Sequence, residues 1–160
     1  MRNTDQSRPW LSTLTGTHIR IKTPGFETEN RVTIIEYIEP PNSSPPIFTR
    51  HEFVEVFCVQ SGELVFQFLD EPRFTLSAGE NITCPSWKPH SFWNETDEPV
   101  SVLLVCTPAG LDQFFVESNK LLKGVQQESE AGTDAVSVEA AMKALRTRFG
   151  LEHVGEPPKI

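Results

Sequence analysis

Three side chains, His51, Glu55 and His90, have the types and spacing that could do chemistry together. His51 and Glu55 are four residues apart in a β-type run, and His90 belongs to a later one. Residues two apart in a strand share a face, so Thr49 and His51 point the same way. Glu55 shares that face if the strand runs on, or the neighbouring one if the chain bends near Phe53. His90 faces them across a closed sheet. Two imidazoles and a carboxylate meeting at one point form the 2-His-1-carboxylate set, which leaves three adjacent positions open on an octahedral iron. Without a metal, a buried carboxylate beside an imidazole can hold a pKa suited to proton transfer. The Thr49 hydroxyl is a poor ligand but can hydrogen-bond a bound water or a substrate.

Such a set needs strands to carry it. From Thr17 to Thr107 the chain shows short runs rich in Val, Ile, Thr and Phe. The expected strands are His18–Lys22, Arg31–Ile38, Ile47–Phe53, Val54–Val59, Glu63–Leu69, Arg73–Leu76, Asn81–Thr83, Ser91–Asn94 and Val100–Cys106. Turn residues divide them, at Pro24-Gly25, the Pro40–Pro46 stretch, Ser61-Gly62, Ala78-Gly79 and Glu98-Pro99. Many short strands at close spacing predict an all-β barrel or sandwich. After Pro108 the period changes. Leu111, Phe114, Phe115, Leu121 and Leu122 fit one face of a helix beginning near Gly110. A second helix is expected over Val136–Phe149, capped by Ser137 and stopped by Gly150. The polar stretch Gly124–Asp134 reads as a mobile loop between them. The tail Gly155-Glu156-Pro157-Pro158 cannot continue a helix.

Two stretches carry a family signature. The first is Thr49-x-His51-x3-Glu55-x6-Gly62; the second is Gly79-x5-Pro85-x-Trp87-x2-His90-x3-Asn94. They match, spacing by spacing and in order, the two motifs of the cupins. The chain resembles the small single-domain, quercetin-dioxygenase-like members over roughly Arg31 to Thr107. Two residues depart from the pattern. Thr49 stands where the family places its first histidine ligand, and Trp87 stands where a glycine makes the tight turn. The usual three-histidine, one-glutamate site is thereby reduced to His51, Glu55 and His90, a set that some cupin epoxidases also use.

The resemblance implies an all-β cupin β-barrel (double-stranded β-helix, or jelly roll) with two C-terminal helices. The expected organisation is one domain over residues 1–160: an N-terminal arm at 1–30, the barrel at 31–107, and helices and tail at 108–160. The site expected from it is His51, Glu55 and His90 as both metal ligands and catalytic groups. Thr49, Phe57, Trp87 and Phe92 are expected to contact substrate, with the flat Trp87 ring near the barrel mouth suiting an aromatic ligand. The implied cofactor is a divalent metal, Fe(2+) first, or none if the loss of the first histidine has emptied the site.

Three functions follow. One is a metal-dependent oxygenase acting on a hydrophobic or aromatic metabolite. Another is a metal-free isomerase, cyclase or dehydratase in which His90 and Glu55 move protons. The third is a small-ligand binding protein. Other prominent residues read as structural. Phe66, Phe68 and Trp93 belong to the core, Asn94 stitches a turn, Arg50 and Glu52 face away from the pocket, and His18 and His153 are surface or packing residues.

Composition narrows the partners. A net charge of -8 opposes a sequence-independent grip on nucleic acid or anionic lipid. A small-molecule substrate and a second copy of the chain are the expected partners. The resemblance implies a homodimer, with Trp10 to Lys22 covering a sheet edge. Three cysteines, Cys58, Cys84 and Cys106, lack CxxC spacing and fit buried thiols in a reducing compartment. The N-terminus has no apolar signal-peptide core and no run suits a membrane helix, so a cytoplasmic location is expected.

Overall fold

The structure, a computed structural model, describes residues 8–130 and 138–160. Its strands are β1 (Leu11–Ser12), β2 (His18–Thr23), β3 (Thr33–Glu39), β4 (Phe48–Arg50), β5 (Val54–Ser61), β6 (Glu63–Phe68), β7 (Phe74–Ser77), β8 (Asn81–Cys84), β9 (His90–Trp93), β10 (Val100–Thr107) and β11 (Glu152–Val154). Two helices, α1 (Leu111–Glu130) and α2 (Val138–Arg148), separate β10 from β11.

The strands form two antiparallel sheets. One has the order β1-β2-β3-β10-β5-β8 and the other β11-β4-β9-β6-β7. Burial alternates along the strands and marks the faces that turn inward. Thr33, Ile35, Tyr37 and Glu39 of β3 are buried, as are Glu55, Phe57 and Val59 of β5 and Val100, Val102, Leu104 and Cys106 of β10. The residues between them are half-buried, the period-2 pattern of a sheet with one face on the core. The two inner faces meet through aromatic rings. Phe57 of one sheet lies 5.3 Å from Phe66 of the other, edge to face. Burying each such ring contributes about 1.5–3 kcal/mol. Gly62 turns β5 into β6 at φ +82°, and a Cβ there would lie 3.0 Å from the Val100 side chain. Both facts explain why the first motif closes on glycine.

The sandwich of sheets and the C-terminal helices agree with the expected jelly roll, with corrections in detail. The polar stretch after Gly124 is not a loop: α1 continues to Glu130. Helix α1 stands on the barrel through Leu111 and Phe115, and an anchored helix can propagate into a polar stretch. Residues 131–137, including the expected cap Ser137, lie outside the described residues. Between α2 and the tail, a strand absent from the expected set, β11, pairs antiparallel with β4 and places His153 opposite Thr49. The first sheet takes in much of the N-terminal segment, with β2 on the edge of β3 and β1 on β2. Cys84 and Cys106 are buried as expected, while Cys58 is half-buried.

Candidate active site

His51, Glu55 and His90 come together inside the barrel. Glu55 lies on the inner face of β5, opposite Cys84 of β8 and Cys106 of β10. His90 opens β9, opposite Thr49 of β4. His51 follows β4 directly, where the chain leaves the ladder and bends toward β5. Their residues are 4%, 3% and 6% exposed. Among the described residues this is the one group of ligating side chains whose donor atoms lie close together, all within 4.8 Å of one another.

Each imidazole is locked from behind. His51 Nδ1 lies 3.2 Å from the Phe53 carbonyl oxygen, and His90 Nδ1 lies 3.0 Å from that of Lys88. A carbonyl oxygen accepts, so both Nδ1 atoms carry the proton, and in the neutral ring each Nε2 presents a lone pair. Both Nε2 atoms lie 3.0 Å from the same oxygen, Glu55 Oε2. That oxygen is buried and has no aligned hydrogen bond. Three lone-pair donors therefore face one point, an arrangement that favours a positive charge there. Octahedral ligands with bonds of about 2.1 Å lie roughly 3.0 Å apart along an edge. The two Nε2–Oε2 pairs have that spacing and the whole donor set lies within 4.8 Å, so the residues present fit a divalent cation.

In the metal-free protein the same 3.0 Å contacts favour positive charge on an imidazole in place of a lone pair. Burial alone would raise the Glu55 carboxyl, but the neighbouring His51 and His90 rings outweigh it and hold the carboxyl at about 2. Burial opposes charge on His90, yet Glu55 raises its pKa above the usual 6.5. Burial, with Glu55 next, pushes the Cys106 thiol far up. Burial does the same to Cys84, again with Glu55 as the next cause, so neither thiol is a nucleophile at neutral pH.

A cavity of about 170 Å³ opens beside the three residues. Thr49 and Phe92 line it; Trp87 and Phe57 do not. Trp87 sits in the β8–β9 turn at φ +63° and is 48% exposed, so its ring faces solvent. Its backbone N–H donates to the His51 carbonyl at 2.7 Å, which ties the turn to the site. Phe57 lies one layer deeper and packs on His90, Phe66 and Phe92. Phe66 stacks nearly parallel to His90 with ring centroids 5.9 Å apart, a second restraint on the imidazole plane. Asn94 stitches the β9–β10 turn, donating to the Pro40 and Glu98 carbonyls and accepting from Thr96. Arg50 faces outward and pairs with Glu152 at 2.7 Å.

The cavity has walls that motif reading missed. Tyr37, 6% exposed, lines it, with its ring 5.6 Å from Phe115 of α1 and 6.1 Å from Phe92. Burial, with the Glu55 charge next, pushes the Tyr37 phenol well above its ordinary 10.0 and keeps it protonated. The signal for Tyr37 was the alternation of β3, two residues past Ile35. Leu151 also lines the cavity, and it is placed by a C-terminal strand that nothing in the sequence marked. A larger hollow of about 410 Å³ lies outside the barrel, beside Phe26 and α1. Among the described residues it holds no ligating cluster, and its buried carboxylate, Asp112, accepts from the Gly25 and Gly110 N–H groups.

Comparison with known proteins agrees on the fold. Residues 35–106 match the family described as Cupin domain. Solved structures share the fold at low identity. The polyketide cyclase RemF from Streptomyces resistomycificus superposes with a TM-score of 0.58 at 19% identity, over 67% of this chain and 78% of that one. A cupin-like protein from Thermotoga maritima gives 0.54 at 13%, over 64% and 77%. A cupin-superfamily sugar phosphate isomerase from Silicibacter pomeroyi gives 0.53 at 18%, over 64% and 72%. No curated protein matches by sequence.

Proposed function

We propose, from the premise that this chain is a cupin-domain protein with residues 35–106 as that domain, that it is a metal-dependent enzyme converting a small, largely apolar molecule. The observation that carries this reading is the pair of 3.0 Å contacts from two carbonyl-locked imidazoles to one buried carboxylate oxygen without aligned hydrogen bonds. His51, Glu55 and His90 would hold the metal, Fe(2+) being the identity that the 2-His-1-carboxylate set favours. When bound, such an ion supplies Lewis-acid polarisation and, for iron, oxidation by O₂.

The protein's own residues do the rest. The Phe53 and Lys88 carbonyls fix the histidine tautomers and keep both Nε2 lone pairs on the cavity side. Phe92, Phe115, Leu111 and Leu151 exclude water and favour an apolar or aromatic body. The Thr49 and Tyr37 hydroxyls supply hydrogen bonds that orient substrate oxygens. Oxidative cleavage is the reaction class proposed first. The test is metal analysis of tag-free protein before and after adding Fe²⁺. About one equivalent per chain is expected, and well under one after loading overturns the reading.

A second reading rests on the same 3.0 Å contacts, which also suit a proton shared by Glu55 and His90. The chain would then be a metal-free isomerase, cyclase or dehydratase. Turnover that survives EDTA but is lost in His90→Ala supports it. No helix among the described residues is long and apolar enough to cross a membrane. A cytoplasmic homodimer is part of the proposal, and light scattering over a concentration series tests the dimer.

A further inference from the structure

A second chamber lies beside the inner cavity. That outer chamber, about 350 Å³, lies between the barrel mouth and the two helices. Five residues line both: Thr13, Thr15, Thr49, Phe115 and Leu151. The two cavities are therefore adjacent, with Thr49 in the wall they share.

The two rooms differ in charge. The inner one holds the carboxylate and imidazoles, while the outer one holds Arg146 of α2, with Glu139 and His153 as its other ionisable residues. The Arg146 side chain is only 14% exposed, although guanidinium groups usually reach water. Among the described residues its guanidinium makes one hydrogen bond, to Glu139 Oε1 at 2.8 Å. The Glu139 side chain is 74% exposed and can swing into solvent at little cost. Burial, with Arg146 next, lowers the His153 pKa, so Arg146 is the lasting positive charge of this chamber. A half-sequestered guanidinium with spare donors is a fork for a carboxylate, sulfonate or phosphate. Because the chain as a whole carries -8, general attraction of anions does not account for it.

We propose that the reactant is an amphipathic organic anion spanning both chambers. Its acidic group is held by Arg146 in the outer room, and its apolar body passes Thr49 and Phe115 to reach His51, Glu55 and His90. The assignment of the reacting end rests on the function proposed above. Recognition of the anion by Arg146 requires no metal.

The test is a fluorescence titration of metal-stripped, full-length protein with 8-anilinonaphthalene-1-sulfonate, an aromatic anion. The neutral analogue N-phenyl-1-naphthylamine is titrated in parallel. Arg146→Gln should weaken the anion about tenfold and leave the neutral probe unchanged, as loss of one charge-assisted hydrogen-bonded pair predicts. Glu139→Gln breaks the same ion pair but frees the guanidinium, so it should bind the anion as well as wild type or better. Thr49→Trp, which fills the passage, should weaken both probes. Arg146→Gln within twofold of wild type for the anion overturns the proposal. So does equal weakening of both probes by Arg146→Gln, or full affinity in Thr49→Trp. Metal content, measured separately, reports on the inner site, so failure there leaves these outcomes readable.

Discussion

Thr49 of β4 lies directly opposite His90 of β9, at the position in the first cupin motif where a further histidine would stand. Both residues line the inner cavity. The three-donor site is thus one side chain short of four, with the gap on a strand that already faces the cavity. Thr49→His should add that donor. Metal affinity is expected to rise by about tenfold or more, measured against a competing chelator. An unchanged affinity would mean that position 49 does not look into the site.

Removing the central carboxylate charge has the opposite effect. Glu55→Gln keeps the shape but replaces an oxygen shared by two imidazoles, 3.0 Å from each. Metal affinity should fall by more than about 100-fold, since even residues supporting the ligands matter by 10–100-fold. Circular dichroism should show the fold retained.

The stability of the metal-free protein should depend on pH from both sides. Glu55 is lowered from 4.5 to about 2 on folding. Its contribution is therefore complete above its unfolded pKa and lost as pH falls from near 4.5 toward about 2. His90 is raised above 6.5 on folding. Its contribution is complete below its unfolded pKa and lost as pH rises through the folded value. Urea midpoints of the metal-stripped protein should fall on both flanks. In Glu55→Gln both flanks should flatten, because each shift depends on that carboxylate.

Trp87 occupies a left-handed turn position, φ +63°, that costs a residue with a Cβ about 1–2 kcal/mol. Its ring is half exposed and outside the cavity. Trp87→Gly should stabilise the protein by up to about 1 kcal/mol, after the added chain entropy of glycine is set against the relieved strain. Metal binding should be unchanged. A loss of site function in this variant would show that the ring contributes there after all.

Phe57 is 1% exposed and supports His90, Phe66 and Phe92 from beneath. Phe57→Ala should cost about 3–5 kcal/mol in denaturant unfolding, through lost burial and the cavity left behind. Thr49→Ala, at the cavity wall, should cost less than about 1 kcal/mol.

The strand content was legible in the sequence, as β-branched and aromatic runs divided by turn residues, but the inner faces were not, because β3, β5 and β10 are apolar on both sides. The spacing of the two motifs named His51, Glu55 and His90 as companions, while the face that Glu55 takes on β5 was settled by strand pairing. Residues recognised by type and spacing were legible because each motif lies within one short stretch of chain. What joins distant segments was not. The register that sets Thr49 between His90 and His153 follows from strand pairing across 41 and 104 positions of chain. Tyr37, Phe115 and Leu151 become neighbours only when β3, α1 and the C-terminal segment pack over one opening. Trp87 shows the converse: a ring whose type suited a ligand was turned to solvent by the backbone conformation of its turn. Helix α1 likewise ran on through polar residues because its first turns are anchored on the barrel, and an anchored helix continues where an isolated one would fray.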